Sequence, residues 1–192
     1  MVRDSSLSQS AQNQVAPPAL PAAPAISAKK QRIGIAVSRY HDHITQRLLA
    51  GARQAWADLG GRHENLIVAS AAGSWELVAI AGALAQHSKV DAIVALGVVM
   101  RGATPHFEYI CSGVTHGLMD LTVRTGIPIG FGLLTCDSEG QALARSGGSE
   151  GDKGADALRA AVAACAEIER LAARRTTRPA RPRRLSGRRG KR

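Results

Sequence analysis

Aromatic residues are almost missing from this chain: two Trp, two Tyr and two Phe make up 3% of 192 residues. The chain is nonetheless 45% hydrophobic, so its interior must be built from Ala, Val, Leu and Ile. Aliphatic side chains of that kind suit helices layered on a sheet. Cysteine is scarce too. Cys111, Cys136 and Cys165 are odd in number and lack CxxC spacing, which argues against a disulfide framework and for a reducing compartment, by default the cytoplasm. No apolar run approaches the roughly 20 residues of a membrane span. No hydrophobic stretch follows a basic start at the N-terminus, so a secretory signal is not expected either.

Acidic residues are wanting in one place. From Arg174 to Arg192 there are nine Arg, one Lys and no Asp or Glu. The remainder balances at fifteen basic against fifteen acidic residues, so the net charge of +10 belongs to an appendage. Residues 1–28 are rich in Ser, Gln, Ala and Pro and bury too little to offset ordering entropy, which predicts a disordered extension. Residues 174–192 carry Pro179 and Pro182 among like charges, which predicts a second disordered segment. A single domain is expected over 29–173.

Within those bounds strand and helix patterns alternate. Ile33 to Val37, Leu66 to Ala69, Ala92 to Leu96 and Ile127 to Leu134 are short apolar runs that read as buried strands. Between them, Ile44, Leu48, Ala52, Ala55, Trp56 and Leu59 recur at helical spacing, with Gly60-Gly61 as the stop. Leu77, Ile80, Ala81 and Leu84 mark a second helix, and Ile110, Val114 and Leu118 a third. A short helix is predicted near Ser138 to Ala144, and a long closing one carries Leu158, Ala161, Val162, Cys165 and Ile168. Repeated βα units imply right-handed crossovers. The fold expected is an α/β three-layer sandwich around a four-stranded parallel sheet, flavodoxin-like. Such sheets bind ligands beyond the carboxyl ends of their strands.

The segments leaving the strands therefore hold the chemistry. After the third strand, Gly102-Ala103-Thr104-Pro105-His106 reads as a helix start, with Thr104 as N-cap and Pro105 at the first helical position. Free backbone N–H groups there suit a phosphate. A first-turn His106, kept neutral by the helix dipole, suits proton transfer. The plain alternative is a solvated histidine on an ordinary helix start. After the second strand, Ser74-Trp75-Glu76 reads as polyol recognition or, more simply, as Ser74 capping, Glu76 complementing the dipole and Trp75 in the core. After the first strand, Tyr40 suits stacking on a flat heterocycle. His41, Asp42 and His43 are too close together on a turn to converge on a metal. Arg145 and Lys153 bracket a glycine-rich stretch, where cations beside flexible backbone suit an anion or else merely face solvent. The rare aromatics Tyr40, Trp75, Phe107, Tyr109 and Phe131 all fall near predicted strand exits, whereas Trp56 sits mid-helix.

Taken in order, these stretches resemble the lumazine synthase family over roughly Arg32 to Leu171. The resemblance rests on the aromatic after Ser38-Arg39, the Gly73-Ser74-Trp75-Glu76 turn and the long block from Leu96 to Tyr109. It continues through Thr125-Gly126-Ile127-Pro128-Ile129, Phe131-Gly132-Leu133-Leu134-Thr135, Gln141-Ala142-Leu143 with Arg145, and Asp152-Lys153-Gly154. It implies an enzyme of riboflavin biosynthesis that condenses 5-amino-6-(D-ribitylamino)uracil with 3,4-dihydroxy-2-butanone 4-phosphate. By the same resemblance Tyr40, Ser74, Trp75, Glu76, Val98, Val99 and Met100 receive the uracil and its ribityl chain. Phe131 joins them across a subunit boundary, with Lys153 a nearby cation. Ala103, Thr104 and Arg145 take the phosphate, and His106 is the acid–base histidine. The uracil supplies its own amine nucleophile, so neither metal nor redox cofactor is called for. Departures from the family pattern are Ala72, His41, His43, Cys136, Gly140 and Ala144, none of which deletes a role.

The resemblance also implies a homopentamer with shared sites, and some pentamers of this kind close into 60-subunit shells. Two other readings stand beside it. The Arg-rich tail suits a scaffold that packages RNA or another polyanion without sequence preference. Another enzyme of the pathway, the archaeal-type riboflavin synthase, resembles this one in fold, but the Arg101-Gly102-Ala103-Thr104-Pro105-His106 block favours the lumazine reaction.

Overall fold

The computed structural model describes residues 27–176, with side chains to Arg174. Most of the expected 1–28 extension and of the Arg-rich tail lies outside the described residues. Four parallel strands form the sheet in the order β2-β1-β3-β4: β1 (Ile33–Ser38), β2 (Leu66–Ala71), β3 (Ala92–Met100) and β4 (Ile129–Cys136). Helices α1 (Asp42–Asp58) and α5 (Lys153–Thr176) cover one face, and α2 (Leu77–His87) and α3 (His106–Thr125) cover the other. The short α4 (Glu139–Arg145) leads into a small antiparallel hairpin, β5 (Ser146–Gly148) and β6 (Gly151–Asp152). This is the α/β three-layer arrangement that the alternating pattern predicted.

Side chains alternate across the central strands as the period of two demands. Ile33, Ile35 and Val37 of β1 join Val94, Leu96 and Val98 of β3 beneath α1 and α5. Ala36, Ile93, Ala95 and Val99 face Leu77, Ala81, Leu84, Val114 and Leu118 of α2 and α3. Both faces are covered, so these strands read as continuous apolar runs. Each fully buried Leu or Ile there contributes roughly 1.5–3 kcal/mol.

Local chemistry sets the helix ends. Leu59 closes α1 and Gly60 turns left-handed at φ 76°, the stop expected from the Gly-Gly pair. The Ser138 side chain accepts the Gln141 amide at 3.3 Å and starts α4. Asp152 caps α5 by accepting the amides of Gly154 and Ala155 at 2.9 and 3.0 Å. Gly154 itself is required there, because a Cβ would sit 2.0 Å from the Leu48 carbonyl oxygen of α1. The fold reaches slightly beyond the expected 29–173. Ala28 is fully buried and donates its amide to Leu59 at 3.0 Å, while α5 continues to Thr176.

Candidate active site

Strand lengths create the crevice. β1 pairs with β3 only as far as Val37 opposite Leu96, whereas β3 goes on pairing with β4 to Met100 opposite Cys136. Gly97 to Met100, expected as an exit loop, is therefore strand. The reason is that β4 supplies ladder partners where β1 does not. Beyond Leu96 the β1 side of β3 stands open at the point where strand order reverses, the position at which open α/β sheets bind ligands.

A cleft of about 680 Å³ occupies this position. Its walls are Tyr40 and His41 after β1, Gly73 to Glu76 after β2, Val98 to Met100 of β3, and His106, Tyr109 and Ile110 on α3. Tyr40, Trp75 and Tyr109 are 66%, 58% and 74% exposed, so half of the chain's six aromatics are spent on one opening rather than on the core. The Ser38 hydroxyl accepts the Tyr40 amide at 3.2 Å, which folds the turn that presents the phenol ring. Ser74 does not cap α2. It is buried and donates its hydroxyl to the Val98 carbonyl at 3.2 Å, tying the second strand's exit to the third. Trp75 is not in the core, contrary to the plainer reading of this turn. Its ring lies over Gly113 of α3, where a Cβ would approach to 2.5 Å. Glu76 stands at the cap position of α2, and its carboxylate accepts the Gly73 amide at 2.9 Å.

His106 opens α3 and lines the cleft with its ring exposed. The helix start differs from the expected one. Pro105, at φ −64° and ψ 2°, occupies the cap position, and its carbonyl accepts the Tyr109 amide at 3.3 Å. Thr104 falls one residue too early to cap, and α3 has no side-chain cap. Ala103 and Thr104 are exposed beside the opening and are not part of the cleft wall.

Phe131, Arg145 and Lys153 lie elsewhere. Together with Gly132 to Cys136 they line a second, smaller cleft of about 250 Å³ that shares no residue with the first. Phe131 is not at a strand exit: it is the third residue of β4 and is 47% exposed. Arg145 donates to the Gln141 carbonyl at 3.1 Å, and Lys153 pairs with Asp156 at 2.9 Å. The glycine-rich stretch between the two cations is a paired hairpin, not a loose loop. Ser146 faces Asp152, and Gly147 and Gly151 supply left-handed turns at φ 90° and 81°. Burial pushes the Cys136 thiol up, although nearby Arg145 opposes the shift.

A family model described as 6,7-dimethyl-8-ribityllumazine synthase matches residues 30–169. The chain belongs to that family. Its relatives include 6,7-dimethyl-8-ribityllumazine synthases from Streptomyces coelicolor, 49% identical over 71% of this chain and 84% of that one, and from Thermus thermophilus, 46% identical over 72% and 88%. Another, from Pseudarthrobacter chlorophenolicus, is 50% identical over 69% and 81%. The lumazine synthases are transferases of riboflavin biosynthesis, and this chain is one of them by descent and by fold.

Some residues of the larger cleft escaped the sequence. Tyr109 and Ile110 line the cleft, and their spacing of three and four from His106 was the available signal, since such residues share a helix face. His41 gave no signal. It is the non-glycine residue with positive φ among the described residues, at 59°, and its ring meets Tyr40 edge-on at 4.5 Å. The left-handed turn throws neighbouring side chains apart: His41 lines the cleft, Asp42 accepts from Gln46 at 3.0 Å, and His43 bonds Glu139 of α4 at 2.6 Å. Arg101 was read only as part of a motif. Its guanidinium bonds Glu108 and, at 2.8 Å, Asp137, and lies 4.1 Å from the Phe107 ring centroid.

Proposed function

We propose that the larger cleft receives 5-amino-6-(D-ribitylamino)uracil. Tyr40 stacks on the pyrimidine, Val98, Val99 and Met100 line its edge, and Ser74, Trp75 and Glu76 hold the ribityl chain. The exposed backbone at Ala103 and Thr104, next to the N-terminal end of α3, takes the phosphate of 3,4-dihydroxy-2-butanone 4-phosphate, together with Arg145. The uracil amine attacks the ketone to give a Schiff base and water. Phosphate then leaves as the anion, and ring closure expels a second water. His106 relays the protons that these steps move, and the amides and Arg145 stabilise the departing phosphate. Holding two substrates side by side lowers the entropic part of the barrier. The convergence of Tyr40, Ser74 to Glu76, Val98 to Met100 and His106 on one cleft carries this reading. Incubating the chain with both substrates and following absorbance of the lumazine tests it. Failure to form that product, or formation of riboflavin from lumazine instead, overturns it.

The working unit in this proposal is a homo-oligomer, a pentamer, in which Phe131, Arg145 and Lys153 of one copy complete the larger cleft of the next. The separation of the two clefts on a single chain supports this. So do Met119 and Val123 of α3, which are 63% and 77% exposed. Particle mass in solution decides between a five-chain ring and a 60-subunit shell. A monomer with full turnover defeats both.

The charge asymmetry favours a second activity alongside catalysis. Ten cations with no acid in residues 174–192 suit non-specific polyanion binding, multiplied by avidity in an assembly. Deleting 174–192 is expected to abolish salt-sensitive RNA retention and leave lumazine formation intact. Retention that persists without the tail sinks it. Cys111, Cys136 and Cys165 are free, which fits a cytoplasmic enzyme, and among the described residues no helix is long and apolar enough to cross a membrane.

A further inference from the structure

We propose that Arg101 is a positioning residue that latches the first turn of α3 and so fixes His106, an inference that rests on the reading of His106 as the proton relay. The His106 ring makes no hydrogen bond to the described residues, and α3 begins without a side-chain cap. The ring's place is therefore set by the backbone of that turn. Both residues that follow His106 are held by one guanidinium. It lies 4.1 Å from the centroid of the buried Phe107 ring and bonds the Glu108 carboxylate. Its remaining edge bonds Asp137 at 2.8 Å.

Asp137 in turn is fixed to α4, donating its amide to the Gln141 side chain at 3.0 Å, and Arg101 donates its own amide to the Cys136 carbonyl at 2.9 Å. One side chain thus joins β3, the His106 turn and the base of the helix that ends in Arg145. Arginine suits this place because its planar fork serves two carboxylates while its face lies on an aromatic ring. The side chains of Arg101, Glu108 and Asp137 are about half exposed, at 47%, 55% and 65%. Exposed pairs add little to overall stability, so loss of the latch should show in turnover and not in melting.

The test uses Arg101→Met, Arg101→Lys, Glu108→Gln and Asp137→Asn in the full chain. Arg101→Met is expected to lower kcat about ten- to hundred-fold, the cost of displacing a reacting group by an ångström or so. KM for the uracil substrate should stay within about two-fold, and the melting temperature should change little. Arg101→Lys keeps the charge without the fork and should recover part of kcat, and the two carboxylate variants should each fall short of Arg101→Met. In hydrogen exchange, the Tyr109 and Ile110 amides should open faster in Arg101→Met than in wild type, a readout that stands whether or not the chain makes lumazine. Wild-type turnover tests the activity itself, and the variant-to-wild-type ratio tests the latch. Unchanged kcat and unchanged exchange overturn the proposal. A rise confined to KM for the phosphate substrate also overturns it, since Arg101 would then touch phosphate directly. If Arg101→Met does not fold, equal kcat in wild type, Glu108→Gln and Asp137→Asn is the overturning result.

Discussion

The two clefts of this chain are built from different materials. The larger one is floored by the overhanging end of β3, walled by three exposed aromatics, and joined across strands by the Ser74–Val98 bond. The smaller one is lined by the edge strand β4 and two cations, and it borders the capped start of α5 and the glycine hairpin. The first presents aromatic rings beside a strand end, the second two cations. In the proposed site, recognition of the ring falls to the rigid sheet crevice. In the same proposal Arg145 of the smaller cleft meets the phosphate only across a subunit boundary.

Disabling one cleft at a time breaks the comparison most sharply. His106→Asn should lower kcat by roughly 100-fold or more while uracil binding persists, as steady-state rates and equilibrium titration would show. Arg145→Ala should raise KM for the ketose phosphate by about 10- to 100-fold, the worth of a charge-assisted hydrogen bond. Co-assembling these two crippled chains in equal amounts should return, at ketose phosphate well below the raised KM, about a quarter of the wild-type rate, the share of interfaces that pair two intact halves. No recovery on mixing would confine each site to one chain.

Smaller substitutions probe one cleft without touching a polar group. At Gly113 an added Cβ would press to 2.5 Å on the Trp75 ring, so Gly113→Ala should weaken uracil binding several-fold and spare the phosphate. Gly154→Ala sets a Cβ 2.0 Å from the Leu48 carbonyl oxygen, parting α1 from α5 at a cost of about 1–3 kcal/mol. A lowered melting temperature checks it. Equal damage to both clefts would show that they are not separable.

Cys165 lies outside both clefts and gives the smallest effect. Burial, reinforced by Glu169 and Asp91, pushes its thiol up to about 12. The neutral form is favoured in the fold, so its contribution to stability is complete below the ordinary thiol value and is lost as pH rises towards about 12. Alkylation of the native chain at pH 8 should therefore spare Cys165, and unfolding should expose it.

Much of the frame was legible beforehand. Alternation of apolar runs with helical spacing yields the four strands and five helices, because burial on both faces leaves each strand a short continuous apolar run, whereas burial on one face leaves each helix an apolar stripe. Tyr40, Trp75 and His106 were readable as cleft residues because ligand sites in such sheets lie at strand exits. Misplacements came from residues whose state depends on a neighbour far along the chain. Gly97 to Met100 became strand because β4 pairs with it. Phe131 sits early in β4, and Trp75 lies outward because Gly113 leaves room beneath it.

The sequence by itself determined the layers, the helix stops, the charged appendage and the family, since each is written in local pattern or in ordered motifs. Only the tertiary structure decided that Phe131, Arg145 and Lys153 line a cleft apart from that of Tyr40, Trp75 and His106, that Ser74 ties strands together and does not cap, and that Arg101 reaches both Glu108 and Asp137. These depend on which segments meet across the sheet. That meeting is settled by packing and strand length over separations of tens of residues, which no local period records.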